Sequence, residues 1–247
     1  MRERFSSGAA LALFETLDST SLEARRRADA GARGPIWILA LEQTAGYGRR
    51  GSGWEQAPGD VAATFLFDPG APVEKLGQLS FVAALAVADA VRRFAPRAPI
   101  ALKWPNDVLV GGGKIAGILL ELLKPEGGGL IALGVGLNIV TRPVLAEYPT
   151  ARLLDFLEGQ PAPSPEAFVH VLDETLHHWR GAWKSGGFQP IRDAWLADAA
   201  GKGEKIRVRL PQETIEGVFA DLDSTGALVL DCESGRRTVA AGTVVRV

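Results

Sequence analysis

Lys103-Trp-Pro-Asn-Asp107, then Val108-Leu-Val110, Gly111-Gly-Gly113 and Lys114-Ile-Ala-Gly-Ile-Leu-Leu-Glu121, is the stretch that decides the fold. Ile100 to Trp104 reads as a strand entering a turn at Pro105-Asn-Asp107, since proline fixes φ and Asn and Asp bond their own backbone. Three glycines between apolar runs predict a hairpin over 108–110 and 115–123. A lysine flanked by glycine and a buried strand is placed to reach into a pocket. It is no P-loop lysine, because Ile115 stands where Ser or Thr is required and no helix follows. Taken alone, Lys103 and Lys114 also read as surface lysines, and the turn as a structural corner.

Working outward, Asp18-Ser-Thr-Ser21 is a helix N-cap cluster with Glu23 at capping-box spacing from Thr20, predicting a helix to Ala30. Ile36 to Leu41 and Val61 to Phe67 read as buried strands. Leu76 to Phe94 is Ala-rich and reads as a buried helix, with Arg92 and Arg93 suited to its C-terminal dipole. Leu130 to Val140 is a further strand. Residues 141–163 contain four prolines and read as a long loop with one helical turn. Helices follow from Ser164-Pro-Glu to Trp183 and from Ile191 to Ala200. After Gly201 come four short alternating runs, 205–210, 213–221, 227–231 and 236–240, spaced as in a small β-barrel. Two domains are expected, 1–200 and 201–247.

The segment Gln43-Thr-Ala-Gly-Tyr-Gly-Arg-Arg-Gly-Ser-Gly-Trp54 matches G-x-G-x-x-G. A dinucleotide site needs a helix after the third glycine, and Ser-Gly-Trp cannot start one. The remaining readings are a flexible anion-binding loop, with Arg49 and Arg50 supplying charge, and a solvated surface turn. Glycines in the apolar run Gly134-Val-Gly-Leu-Asn138 point to close approach by a ligand or backbone, or to a β-bulge. His170 and His177 share a helix face without a third metal ligand, so a structural role is expected.

Composition narrows the classes. The 247 residues are 47% hydrophobic and 23% charged, as in a packed protein. A net charge of −2 argues against general nucleic-acid binding. The tail 203–247 carries six Lys/Arg against seven Asp/Glu and offers no phosphate-binding surface. The single cysteine, Cys232, excludes an internal disulfide and a Cys-based zinc site. Gly8 to Phe14 is mildly apolar but lacks an export cleavage site, and no run approaches a membrane span. A cytoplasmic protein is expected, without membrane or nucleic-acid partners.

Together these segments resemble the biotin–protein ligases. That family's pattern has Ser-Thr-Asn early, a Gly-Arg-Gly-Arg-Arg-Gly-Arg-x-Trp loop, Lys-Trp-Pro-Asn-Asp, Lys-x-x-Gly-Ile-Leu-x-Glu and Gly-x-Gly-x-Asn. The counterparts are Ser19-Thr20-Ser21, Gly46 to Trp54, Lys103 to Asp107, Lys114 to Glu121 and Gly134 to Asn138, in the same order from about residue 14 to 140. The resemblance implies an α+β fold: a mixed sheet with helices, like class II tRNA synthetases and lipoate ligases, plus a small SH3-like C-terminal β-barrel. It implies that biotin and ATP form biotinyl-AMP, with Mg²⁺ accompanying ATP, and that biotin passes to a lysine of a biotin carboxyl carrier protein domain. Carried over by position, Lys114, Asp107, Lys103 and Arg49 are catalytic. Ser19, Thr20, Ser21, Gln43, Gly46, Tyr47, Gly48, Arg49, Lys114 and Gly117 bind biotin. Arg50, Trp54, Asn106 and Asn138 bind ATP, and the metal ligands stay unassigned.

The chain departs from the pattern at Tyr47 and Ser52, both arginine in the family, at Ser21 for Asn, and at Asp60 in Gly59-Asp60, where the family has Gly-Asn. Tyr47 is expected to pack over the biotin or an apolar neighbour and to hold biotinyl-AMP less tightly. No winged helix precedes residue 14, so repressor function is not expected. Competing readings are a lipoate or octanoate ligase, faintly suggested by Arg49-Arg-Gly-Ser-Gly53, and a non-catalytic homologue that only binds biotin or nucleotide. The oligomeric state stays open, a homodimer being one option.

Overall fold

The computed structural model describes residues 5–124, 129–144 and 148–245. Its larger sheet has seven strands: β1 (Ala10–Leu17), β2 (Ile36–Gln43), β3 (Val61–Phe67), β4 (Ile100–Lys103), β5 (Asp107–Val110), β6 (Gly113–Lys124) and β7 (Leu130–Leu137). Their order is β1-β2-β3-β7-β6-β5-β4. β1 runs parallel to β2, and every other pairing is antiparallel.

Helices cover both faces, so the middle strands read as continuous apolar runs instead of alternating ones. All seven residues of β3, Val-Ala-Ala-Thr-Phe-Leu-Phe, are buried. On one face α1 (Thr20–Asp29) sets Ala24 and Ala28 against Ile38, Leu66 and Ala132. On the other, α2 (Leu79–Phe94) packs on β4, β5 and β6, α3 (Pro165–Gly186) packs on β3, and α4 (Phe188–Ala197) packs on α2 and α3. The expected N-terminus of α3 is present: the Ser164 hydroxyl accepts from the Ala167 N–H at 3.2 Å, with Pro165 in the first turn.

The C-terminal sheet comprises β8 (Lys205–Arg209), β9 (Thr214–Leu222), β10 (Leu228–Cys232), β11 (Gly235–Val239) and β12 (Thr243–Val245). Its antiparallel order β11-β10-β9-β8-β12 leaves β11 and β12 as edges among the described residues. It is a small SH3-like sheet, and among the described residues no ladder closes it into the expected barrel.

Several expectations are corrected. Gly8 to Phe14, assigned no element from sequence, is from Ala10 the edge strand β1, whose mixed exposure hides the period-two signal. β12 lies beyond the four expected C-terminal strands. The capping box does not form. Ser19 is the N-cap without a side-chain cap bond, and Glu23 instead pairs with Arg26 and Arg27 at 2.9 and 2.8 Å. The Thr20 hydroxyl is used elsewhere, as described next.

Candidate active site

The strand ends and loops singled out above surround one cavity of about 690 Å³. Its first corner is built of hydroxyls and an amide. Gln43 Oε1 accepts from the Thr20 N–H at 2.8 Å and from its hydroxyl at 3.1 Å. Thr64 Oγ1 donates to Thr20 Oγ1 at 2.8 Å and lies 3.3 Å from Ser21 Oγ. Ser19, Thr20, Ser21 and Thr64 are all buried, so the network holds a polar group's recognition elements in place without water. Thr64 was not singled out from sequence, although a lone hydroxyl in an otherwise apolar strand was the signal for it.

Three glycines form the floor. Gly117 on β6 sits opposite Gly136 on β7, and Gly134 lies two residues along the same strand. A Cβ on Gly134 would approach Ser21 Oγ to 3.1 Å, and one on Gly117 would approach Lys114 Nζ to 3.3 Å. The floor therefore runs from a hydroxyl to an ammonium group. Trp54 lies across it: a Cβ at Gly136 would come within 2.3 Å of the indole Cε2. The structure thus meets the expectation of close approach at Gly134 and Gly136. Trp54 Nε1 is buried without a hydrogen-bond partner among the described residues.

The charged end is made by the Lys-Trp-Pro-Asn-Asp turn and the strand after it. Lys114 Nζ pairs with Asp107 Oδ1 at 2.7 Å, both side chains mostly buried. Lys114 also lies over the rings of Trp54 and Tyr148, at 5.7 and 5.3 Å, and Lys103 lies 5.4 Å over Tyr148. Arg49 Nη1 donates to Asn106 Oδ1 at 3.3 Å, and Asn106 Nδ2 donates to the Ile118 carbonyl at 2.6 Å. Burial first, and then the charge of Arg50, holds the Arg49 guanidinium below its ordinary value. Arg50 also lines the cavity and adopts a left-handed backbone, φ 57°. Asn138 is buried, donates Nδ2 to the Ala151 carbonyl at 3.0 Å, and leaves Oδ1 without a partner among the described residues.

The glycine loop folds back on itself as a tight hairpin. Tyr47 bridges Gly53, Gly48 N–H donates to the Ser52 carbonyl at 2.7 Å, and Trp54 N–H donates to Gly46 O at 3.0 Å. The Ser52 hydroxyl bonds the Arg49 carbonyl at 3.0 Å. Gly46 does not line the cavity; a Cβ there would meet Gln43 Nε2 at 2.7 Å. Tyr47 and Gly48 do line it, and the Tyr47 hydroxyl donates to Glu121 Oε2 at 3.1 Å, a partner not foreseen from sequence. Tyr148, Thr150 and the 242–244 stretch also line the cavity, and local sequence gave no sign of them. Among the described residues no cluster of three or more His, Cys, Asp or Glu could hold a metal. His170 stacks on Phe5 at 4.3 Å, a structural contact.

The profile of the Biotin/lipoate A/B protein ligase family matches residues 13–138, and that of the Biotin protein ligase C terminal domain matches 202–247. The chain is 42% identical to the biotin–acetyl-CoA-carboxylase ligase of Paracoccus denitrificans, over 92% of this chain and 96% of that protein. It is 36% identical to the enzyme of the same name from Mycobacterium tuberculosis, over 92% and 85%. The structure of biotin protein ligase from Aquifex aeolicus in complex with biotin and ATP superposes with a TM-score of 0.84 at 23% identity, covering 96% of this chain and 99% of that one. With 42% identity to one such ligase over 92% of its length and the family profile matching 13–138, the chain belongs to the biotin–protein ligase family.

Proposed function

We propose that this chain joins biotin to ATP and passes the biotinyl group to a carrier lysine. The observation that carries the reading is the glycine floor, with the Ser21 hydroxyl at one end and the Lys114 ammonium at the other. Such a floor takes a small ring with a polar head and directs its carboxylate toward the lysine.

The first step brings a carboxylate against a triphosphate, and like charges must be offset. Lys114, oriented by Asp107, sits where carboxylate oxygen and α-phosphate would meet. Lys103, Arg49 and Arg50 add positive charge, and Asn106 holds Arg49 in place. Carboxylate oxygen attacks the α-phosphorus and pyrophosphate leaves, giving biotinyl-AMP. In the second step a carrier lysine amine attacks the acyl carbon, loses a proton, and AMP leaves. Trp54 and Asn138 serve the nucleotide side. Mg²⁺ fits this donor set only as a companion of ATP, with Asp107 as the cavity-lining carboxylate that would take it. Bound there, it would neutralise phosphate charge.

On this reading residues 1–200 hold both substrates, and 201–247 close the nucleotide side through Gly242 to Val244. The partners are biotin, ATP and a biotin carboxyl carrier domain, in the cytoplasm. Among the described residues no helix is long and apolar enough to cross a membrane. The test is pyrophosphate release from ATP with biotin or lipoate, followed by transfer to a carrier domain. Release with biotin alone, and labelling of the carrier lysine, is expected. Release with lipoate, or none with either, overturns the reading.

A further inference from the structure

The family pattern has an arginine where this chain has Tyr47, and the chain puts that tyrosine to a specific use. Its hydroxyl donates to Glu121 Oε2 at 3.1 Å, and Arg25 Nη2 holds the other oxygen, Oε1, at 3.2 Å. The three residues come from the glycine loop, from β6 and from α1. We propose that Tyr47, Glu121 and Arg25 form a latch that fixes the glycine loop over the cavity before any ligand binds, and that Glu121 is thereby a positioning residue for biotin capture.

Three further observations support the latch. The Glu121 side chain is only 19% exposed, so its bond to Tyr47 is poorly shared with water. Burial, then the Glu121 charge, raises the Tyr47 hydroxyl to about 12, although Arg25 and the Ser21 hydroxyl pull it down. It therefore stays a proton donor across the physiological range. The loop beyond Tyr47 is closed on itself by the Tyr47–Gly53 bridge and the Gly48–Ser52 bond. Pinning Tyr47 consequently fixes Arg49 and Arg50 as well. Glu121 does not line the cavity, so it acts through Tyr47 rather than on ligand.

The test has two arms, and only the second rests on reading the cavity as a biotin site. In the first, ligand-free protein is exposed to trypsin, and cleavage after Arg49 or Arg50 is followed by mass. Tyr47→Phe and Glu121→Ala should each accelerate it about tenfold, the effect of losing one charge-assisted hydrogen bond. The double variant should be no faster than either single one. Glu121→Gln, which keeps an acceptor oxygen but not its charge, should fall between the native rate and that of Glu121→Ala. In the second arm, Glu121→Ala should raise KM for biotin about tenfold and leave kcat within about twofold, because the loop must then be ordered by substrate binding. Unchanged cleavage in both single variants, or additive effects in the double variant, would overturn the latch. Failure of biotin turnover in the native chain would strike the proposed function and leave the first arm standing.

Discussion

Lys114 and Asp107 form an ion pair at 2.7 Å across neighbouring strands, at the end of a floor made of glycines. Both side chains are mostly shielded from water, so Asp107 fixes the ammonium's direction without removing its remaining donors. Lys114→Ala should lower biotin-dependent pyrophosphate exchange roughly a hundredfold, as for loss of one preorganised donor. Asp107→Ala should lower it as well, by freeing the lysine to wander. Near-native exchange in a folded Lys114→Ala protein would remove Lys114 from the chemistry.

Gly136 has no room for a methyl group, since its Cβ would lie 2.3 Å from the Trp54 ring. Gly136→Ala must displace the indole or the strand, at a cost of about 1–3 kcal/mol. Biotin affinity, read by calorimetry, should fall at least about tenfold as the floor narrows. Gly181, inside α3, meets nothing within 4 Å, and Gly181→Ala should stabilise by roughly 0.5–1 kcal/mol through helix propensity alone. Undiminished biotin binding by Gly136→Ala would show that the floor does not take the ring.

How much of this was legible in sequence depends on how local the cause was. β3 was read to the residue because both its faces are buried and its apolar run has sharp ends. The hairpin of β5 and β6 was announced by Gly111 and Gly112, which take positive φ of 58° and 80°. β1 was missed because an edge strand with mixed exposure carries no period. The apparent capping box was real in spacing but lost to tertiary competition: Thr20 is drawn to Gln43, and Glu23 to two arginines. Within the site, Arg49, Lys103 and Lys114 were conspicuous through their glycine and turn contexts. Tyr148 was not, because what makes it matter is its seat over lysines 34 and 45 residues away in the chain. The Tyr47–Glu121 bond spans 74 residues and had no sequence signature.

Asp60, where the family pattern has asparagine, is buried and organises the chain beyond Asn138. Its Oδ1 accepts from the N–H groups of Ile139, Val140 and Thr141, at 2.7, 2.8 and 3.2 Å. Its other oxygen accepts from the Thr141 hydroxyl. Asp60→Ala leaves those donors unpaired and should cost about 3 kcal/mol or more. At about 2–4 °C per kcal/mol for a chain of this size, Tm should fall by roughly 6–12 °C. Asp60→Asn keeps one acceptor oxygen and should lose less than half as much. Equal losses in thermal melts would mean that charge, not acceptor geometry, carries the effect.

Asp18 supplies a pH prediction. It accepts two bonds from Arg26, at 2.8 Å each, and one from the Ser19 N–H at 2.7 Å. The Arg26 bonds, then the Ser19 bond, hold its carboxyl at about 2, against an ordinary value of 3.8. A carboxyl lowered on folding stabilises fully above its unfolded pKa, and that contribution fades as pH falls toward the folded one. The loss should therefore lie between about pH 4 and pH 2. The pair is exposed, so its worth is at the low end for ion pairs and shrinks with salt. Acid titrations of native and Asp18→Asn protein should converge near pH 2 and separate slightly above pH 4. Identical curves throughout would show that the pair contributes nothing.

The C-terminal sheet reaches the Lys-Trp-Pro-Asn-Asp turn through Trp104. Its Nε1 donates to the Gly226 carbonyl at 3.1 Å, and Gln78 Nε2 donates to the Ser224 carbonyl, also at 3.1 Å. Asp223 shapes that 223–226 turn by accepting from the N–H groups of Thr225 and Ala227, at 2.8 and 2.9 Å. Trp104 directly precedes Pro105-Asn-Asp107, so a slack seam would let Asn106 and Asp107 drift and loosen Arg49 and Lys114. A neutral hydrogen bond contributes about 0.5–1.5 kcal/mol, so Trp104→Phe should raise KM for ATP roughly two- to tenfold. Asp223→Ala should act in the same direction from the far side of the seam. Asp231→Ala on β10, which removes an exposed pair with Arg236 on β11, should leave KM for ATP unchanged. If Trp104→Phe and Asp223→Ala both match the native enzyme while remaining folded, the C-terminal sheet does not tune the turn, and its service to the nucleotide side must run through Gly242 to Val244 alone.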